Sequence, residues 1–162
     1  MAELETVARP YAEALFMIAK ENPKAADGWS DFLRSLKEAM QTAEVPKVMG
    51  LPDLSFTEKK RFLSELSAQA LKRDLTSAEE NFLHVISEHG RYDLLPMVND
   101  QFQTRLLEER NILKVEMQSA YALTDGQEEM FIKALKKRFD KEIELTVTIS
   151  PSLIGGAILK ID

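Results

Sequence analysis

The sequence predicts a mainly α protein: a six-helix N-terminal bundle over residues 1–110, then a small α/β unit over residues 111–162. Three observations predict this. Apolar residues recur at helical spacing as far as Asn111. The breaks between those stretches are short, which favours antiparallel packing neighbours and a bundle. After Asn111 the apolar period shortens toward the alternation of a strand.

The first helix is expected over residues 4–20 and stops at Glu21-Asn22-Pro23, because proline disfavours helix at the residue before it. Trp29, Phe32, Leu33, Leu36, Ala39 and Met40 make a second amphipathic stripe, with Trp29 as its core anchor. Val45-Pro46 opens a short third helix that Gly50-Leu51-Pro52 ends. Ser55-x-x-Glu58 has the form of a capping box, in which each side chain bonds the other residue's free backbone N–H. It leads into Phe62, Leu63, Leu66, Ala70 and Leu71. A second box, Thr76-x-x-Glu79, opens the helix of Phe82, Val85 and Ile86, which Gly90 stops. The sixth helix begins at once through Tyr92-Asp93-Leu94-Leu95-Pro96 and carries Val98, Phe102, Leu106 and Leu107.

Beyond Asn111, Ile112, Leu113, Val115 and Met117 alternate in part and read as a strand. Thr124-x-x-Gln127 caps a helix with Met130, Phe131, Ala134 and Leu135. Ile143, Leu145, Val147 and Ile149 alternate cleanly with polar residues, as in a half-buried strand. Pro151-Ser152 breaks it. Gly155-Gly156 marks a close approach of backbones before Ala157-Ile158-Leu159-Lys160-Ile161, a third strand.

Composition narrows the function. A chain of 162 residues with 44% hydrophobic residues can bury a core. Its net charge of -6 disfavours nucleic acid as a partner, since a phosphate footprint needs a basic excess. Residues 1–110 hold 14 basic and 19 acidic side chains, and the remainder 7 and 8, so the acidity lies in the bundle. With no cysteine, disulfide scaffolds, thiolate metal sites and cysteine nucleophiles are excluded. No apolar run is long enough to cross a bilayer, and the acidic start Met1-Ala2-Glu3-Leu4-Glu5 is no secretory signal. No direct membrane insertion is expected, and a bacterial cytoplasmic location is the plain reading.

Catalytic chemistry is absent from the inventory. The two histidines, His84 and His89, stand five apart and do not share a helix face as a spacing of three or four would. His84 is expected in solvent and His89 at a helix end. No phosphate loop ends in Lys-Ser or Lys-Thr, and Gly155-Gly156 lacks the strand-then-helix setting of a dinucleotide site. Glu79-Glu80, Glu108-Glu109 and Glu128-Glu129 point apart on helices, and Lys59-Lys60-Arg61 and Lys136-Lys137-Arg138 lack interleaved aromatics. No cofactor, metal or catalytic residue is expected.

The first helix carries more apolar surface than one contact uses. Leu4, Val7, Ala8, Tyr11, Ala14, Leu15 and Ile18 form a stripe that Ala12, Ala19 and Phe16 widen, giving an arc of roughly 200° where about 100° serves one core contact. Two readings follow. A central bundle helix touches neighbours on two sides, or the surplus accepts an amphipathic helix from another protein. The fifth helix, with Ala78, Phe82, Leu83, Val85 and Ile86 on a broad arc and His89 at its edge, poses the same choice.

Three segments in order resemble one family. They are Val7-Ala8-Arg9-Pro10-Tyr11-Ala12-Glu13-Ala14-Leu15-Phe16, the Asn81-Phe82-Leu83-His84-Val85-Ile86-Ser87-Glu88-His89-Gly90-Arg91 region through Pro96 to Phe102, and Ile149-Ser150-Pro151-Ser152-Leu153-Ile154-Gly155-Gly156-Ala157-Ile158-Leu159-Lys160-Ile161. Together they resemble the delta subunit of F-type ATP synthase, the bacterial counterpart of the mitochondrial oligomycin-sensitivity-conferring protein. The resemblance implies a non-catalytic stator subunit, one copy per complex, peripheral at the cytoplasmic face of the bacterial membrane. It implies that a groove between the first and fifth helices grips the N-terminal helix of an alpha subunit, at Tyr11, Ala14, Leu15, Ile18, Phe82, Val85, Ile86 and His89. It implies that residues 111–162 face the b subunits of the peripheral stalk, so that the head is held against rotor torque. Family members usually continue past the position of Asp162, so a truncated C-terminal unit with a poorly paired last strand is expected. The alternative of another class is an independent helical adaptor that binds an amphipathic helix; an enzyme ranks behind both.

Overall fold

The computed structural model describes residues 2–153 and 155–161. Met1, Asp162 and Ile154, the last within the 149–161 segment, lie outside the described residues. Two compact units divide the chain, Met1–Thr104 and Arg105–Asp162.

In the first unit, α1 runs Ala2–Ala19, α2 Pro23–Met40, α3 Glu44–Met49, α4 Phe56–Leu71 and α5 Ser77–Glu88. A 3-10 turn at Tyr92–Leu94 then leads into α6, Leu95–Glu109, which crosses the division between units. The local signals work as the side chains dictate. Asn22 accepts a bond from the Lys24 N–H and caps α2, with Pro23 at its first position. Proline costs nothing there, because that N–H has no helical partner anyway. Ser55 and Thr76 each close a reciprocal capping box, with Glu58 and Glu79. Pro10 stands inside α1, which gives up one intrahelical hydrogen bond there and continues.

The core of this unit is centred on α2. Trp29, Phe32 and Phe82 form a triangle of edge-to-face rings with centroids 5.7, 6.3 and 6.2 Å apart, the arrangement that aromatic quadrupoles favour. Leu33, Leu36, Leu63, Leu83, Ile86 and Val98 have no exposed surface. α2 packs on α1, α3 and α4, and α4 packs on α5. Ser30 and Lys37 of α2 bond Gln103 and Asp100 of α6, and Phe16 of α1 meets Phe102 of α6 edge to face.

In the second unit, β1 (Ile112–Ser119), α7 (Asp125–Phe139), β2 (Glu142–Ile149) and β3 (Ala157–Ile161) follow in order. The sheet order is β2-β1-β3, with β1 parallel to β2 and antiparallel to β3. β1 alternates buried and exposed residues, and its Leu113 and Val115 pack with Leu135, Phe139, Ile143 and Leu145. The inward face of α7 is Glu128, Ile132, Leu135 and Phe139, at i, i+4, i+7 and i+11. Of the four apolar residues noted on this helix from sequence, Leu135 is buried, whereas Met130, Phe131 and Ala134 are exposed. The expected poor pairing of the last strand is not observed: β3 pairs with β1 from Ala157 to Ile161, although all five residues stay exposed.

Gly155 and Gly156 also correct an expectation. A Cβ at either position would meet nothing within 4 Å, so no close backbone approach requires them. Both have positive φ, 72° and 78°, and that conformation is what glycine supplies.

Candidate docking surface

The buried edge of α1 is narrow and made of small residues. Ala8, Ala12, Leu15 and Ala19, at i, i+4, i+7 and i+11, are buried. A second apolar row lies beside it and faces solvent: Val7 is 40% exposed and Ile18 50%, with exposed Ala14 between them in the same row. Met17 is exposed as well. α1 therefore keeps an apolar surface that its own bundle does not cover. On α5, Phe82, Leu83 and Ile86 are buried, while Val85 is 39% exposed, and Ala78, Asn81 and His89 are exposed with it.

Tyr11 joins α1 to the end of α5. The Arg91 guanidinium donates a 2.9 Å hydrogen bond to the Tyr11 hydroxyl and lies 5.9 Å from the centre of its ring. The backbone at Arg91 is set by the way α5 ends. Gly90 takes a left-handed conformation, φ 62°, its N–H bonds the Ser87 carbonyl, and the Arg91 N–H bonds the Ile86 carbonyl. Those two bonds are a Schellman stop, which fixes the backbone from which the following side chain departs.

The eight residues expected at a docking site fall into two sets. Ala14, Ile18, Val85 and His89 are exposed and Tyr11 is half-buried. Leu15, Phe82 and Ile86 are inside the core, Phe82 within the aromatic triangle. Tyr11 is brought to the end of α5 through Arg91. The neighbours across which α1 chiefly packs are α2 and the Tyr92–Leu94 turn. Val7 and Arg91 were not among the eight. Val7 shares the row of Ala14 and Ile18 seven and eleven residues on, a signal present in the periodicity. Arg91 was signalled only by standing directly after the glycine that ends α5.

His84 is exposed; it lies 5.9 Å from the exposed Phe56 ring and 3.9 Å from Glu88, and His89 forms the C-cap of α5. Among the described residues no cluster of three or more His, Asp or Glu side chains could hold a metal ion. Also among the described residues, no helix is long and apolar enough to cross a membrane.

A family model described as ATP synthase delta (OSCP) subunit matches residues 7–162. The chain belongs to that family. The delta (OSCP) subunit is a non-catalytic structural subunit. Delta subunits of known sequence agree over nearly the whole chain. The one from Chromohalobacter salexigens is 36% identical over 161 residues, covering 99% of this chain and 87% of the relative. That of Acinetobacter baylyi is 34% identical over 160 residues, with the same coverage. Among solved structures, a chain in the cryo-EM structure of the Toxoplasma gondii mitochondrial ATP synthase hexamer superposes with a TM-score of 0.67. It shares 21% identity over 94% of this chain and 83% of that one, and so shows a common fold. The delta (OSCP) assignment rests on the sequence matches.

Proposed function

We propose that this chain is a stator subunit of F-type ATP synthase that links the alpha/beta catalytic head to the b-subunit peripheral stalk. Residues 1–110, as a six-helix bundle, dock on the head by holding the N-terminal helix of an alpha subunit. Residues 111–162 face the C-terminal ends of the b subunits. The link resists rotor torque, so that the head stays still while proton flow turns the rotor at the cytoplasmic face of the membrane.

One observation carries this reading: the uncovered row of Val7, Ala14 and Ile18 beside a fully buried one on the same helix. An amphipathic helix laid in such a place buries apolar surface at i, i+3, i+4 and i+7 anchors. Tyr11, Val85 and His89 would border the seat. Leu15, Phe82 and Ile86 would act from beneath it, by holding Tyr11 and Val85 in place.

The test is calorimetry of the whole chain with the N-terminal peptide of the alpha subunit from the same organism. Binding with a negative heat-capacity change is expected, because apolar area leaves water. Addition to heads stripped of their delta subunit should restore coupling of ATP synthesis to the proton gradient. A folded protein that binds neither peptide nor stripped heads would refute the assignment.

A further inference from the structure

The Tyr11–Arg91 pair is built like a receptor for a carboxylate. Arg91 presents a planar fork of N–H donors, of which one is engaged by the Tyr11 hydroxyl. That hydroxyl accepts from Arg91, so its own hydrogen remains available to a second acceptor. Both groups are placed in advance: Arg91 by the Schellman stop at Gly90, its side chain by the Tyr11 ring, and Tyr11 by α1. Pre-placement lowers the ordering entropy lost when a partner binds. Among the described residues no carboxylate forms an ion pair with Arg91, which is exposed. On α1, Tyr11 sits between the buried edge of Ala8, Leu15 and Ala19 and the uncovered row of Val7, Ala14 and Ile18. A cation there lies at the polar margin of any helix laid on that row.

We propose that Arg91 and Tyr11 form a carboxylate seat that selects docking helices bearing an Asp or Glu at the margin of their apolar face. The proposal rests on the helix-docking reading above and adds a requirement on the partner's chemistry. The Arg91 guanidinium and the Tyr11 hydroxyl each donate to the incoming carboxylate, a charge-assisted arrangement stronger than neutral hydrogen bonds. The apolar row supplies the affinity; the seat supplies register and rejects helices that bring a lysine or nothing to that point.

The experiment uses the whole chain, the alpha N-terminal peptide, and the same peptide with every Asp and Glu replaced by Asn and Gln. The amide peptide should bind the native chain roughly tenfold more weakly, the scale of a lost hydrogen-bonded charge contact. R91Q should weaken binding of the acidic peptide by a similar factor and flatten its salt dependence, while leaving the amide peptide nearly unaffected. R91K should recover only part of the loss, since an ammonium lacks the fork. Y11F, which keeps the ring, should weaken the acidic peptide by roughly threefold. Equal binding of the two peptides by the native chain overturns the seat and leaves the docking reading standing; this arm needs no altered protein and is independent of any effect of R91Q on folding. Failure of the native chain to bind either peptide overturns the docking reading and the seat together.

Discussion

Arg73 holds Glu79 in a two-pronged grip, its two terminal nitrogens 2.9 and 2.7 Å from the two carboxylate oxygens. Glu79 is almost wholly buried, while about a third of the Arg73 side chain is exposed. The same carboxylate accepts the Thr76 N–H in the capping box that starts α5. Arg73 also bonds the carbonyls of Gly28 and Asp74, so one guanidinium ties α2, the turn after α4 and the start of α5 together.

The asymmetry of burial sets the expected mutational order. R73A strands a buried carboxylate and should cost about 3 kcal/mol, the low end for breaking a buried pair. E79Q keeps a hydrogen-bonding side chain in place and lets Arg73 turn to water, so it should cost less, about 1.5 kcal/mol. Urea unfolding of both variants checks the order. The hydrogen bond to Glu79 holds the Arg73 pKa above its ordinary value against the opposing effect of burial. A raised folded-state pKa gives stability that is present below the unfolded value and lost only as pH climbs through the folded one. This contribution should therefore not decline between neutral and moderately alkaline pH, as unfolding curves over that range would show.

Phe82 and Ala14 should separate stability from docking. F82A empties one corner of the aromatic triangle, and should cost about 3–5 kcal/mol by lost transfer energy and cavity formation. A14E changes an exposed position and should shift stability by no more than about 0.5 kcal/mol. It should nonetheless weaken the alpha peptide by at least roughly tenfold, because a charge would be placed against an apolar helix face. Thermal melts and peptide titrations of the two variants are the measurements. Unfolding of A14E would place Ala14 in the bundle interior and remove it from the docking surface.

Gly90 should resist replacement through its backbone. Its φ of 62° is costly for a residue with a Cβ, although that Cβ would meet nothing within 4 Å. G90A should lose about 1 kcal/mol, and G90N less, since asparagine tolerates the left-handed region. If G90A instead matches the native midpoint in denaturant, the Schellman stop is not what holds Arg91.

Ser55 offers a local test of the boxes read from sequence. Its hydroxyl oxygen accepts the Glu58 N–H at 3.2 Å, and its own N–H donates to the Glu58 carboxylate at 3.0 Å. S55A should cost about 1 kcal/mol. Chemical denaturation of the single variant decides this, and no effect on peptide binding is expected because Ser55 lies at the start of α4, on neither α1 nor α5.

Much of the fold was legible because its signals are local. Asn22-Pro23, Ser55-x-x-Glu58, Thr76-x-x-Glu79 and Thr124-x-x-Gln127 each satisfy backbone groups within one turn, so residue identity suffices to find them. Alternation in β2 likewise placed a strand. The inward face of α7 was not legible in the sequence, because Met130 and Phe131 are apolar yet lie off the Glu128–Ile132–Leu135–Phe139 row, and only contact with the sheet selects that row.

The surplus of apolar residues on α1 was visible in the sequence as an arc too wide for one contact. Which part of the arc is spare was not. Ala8, Ala12 and Ala19 are no more hydrophobic than Ala14, yet the first three are buried and Ala14 faces water. Periodicity locates a face; burial depends on which helix lies against it, through contacts distant in the chain. For the same reason Tyr11 was legible from sequence only as part of the apolar stripe of the first helix and Arg91 only as the residue after Gly90, and it took the packing of α1 beside the end of α5 to make them, eighty residues apart, a pair.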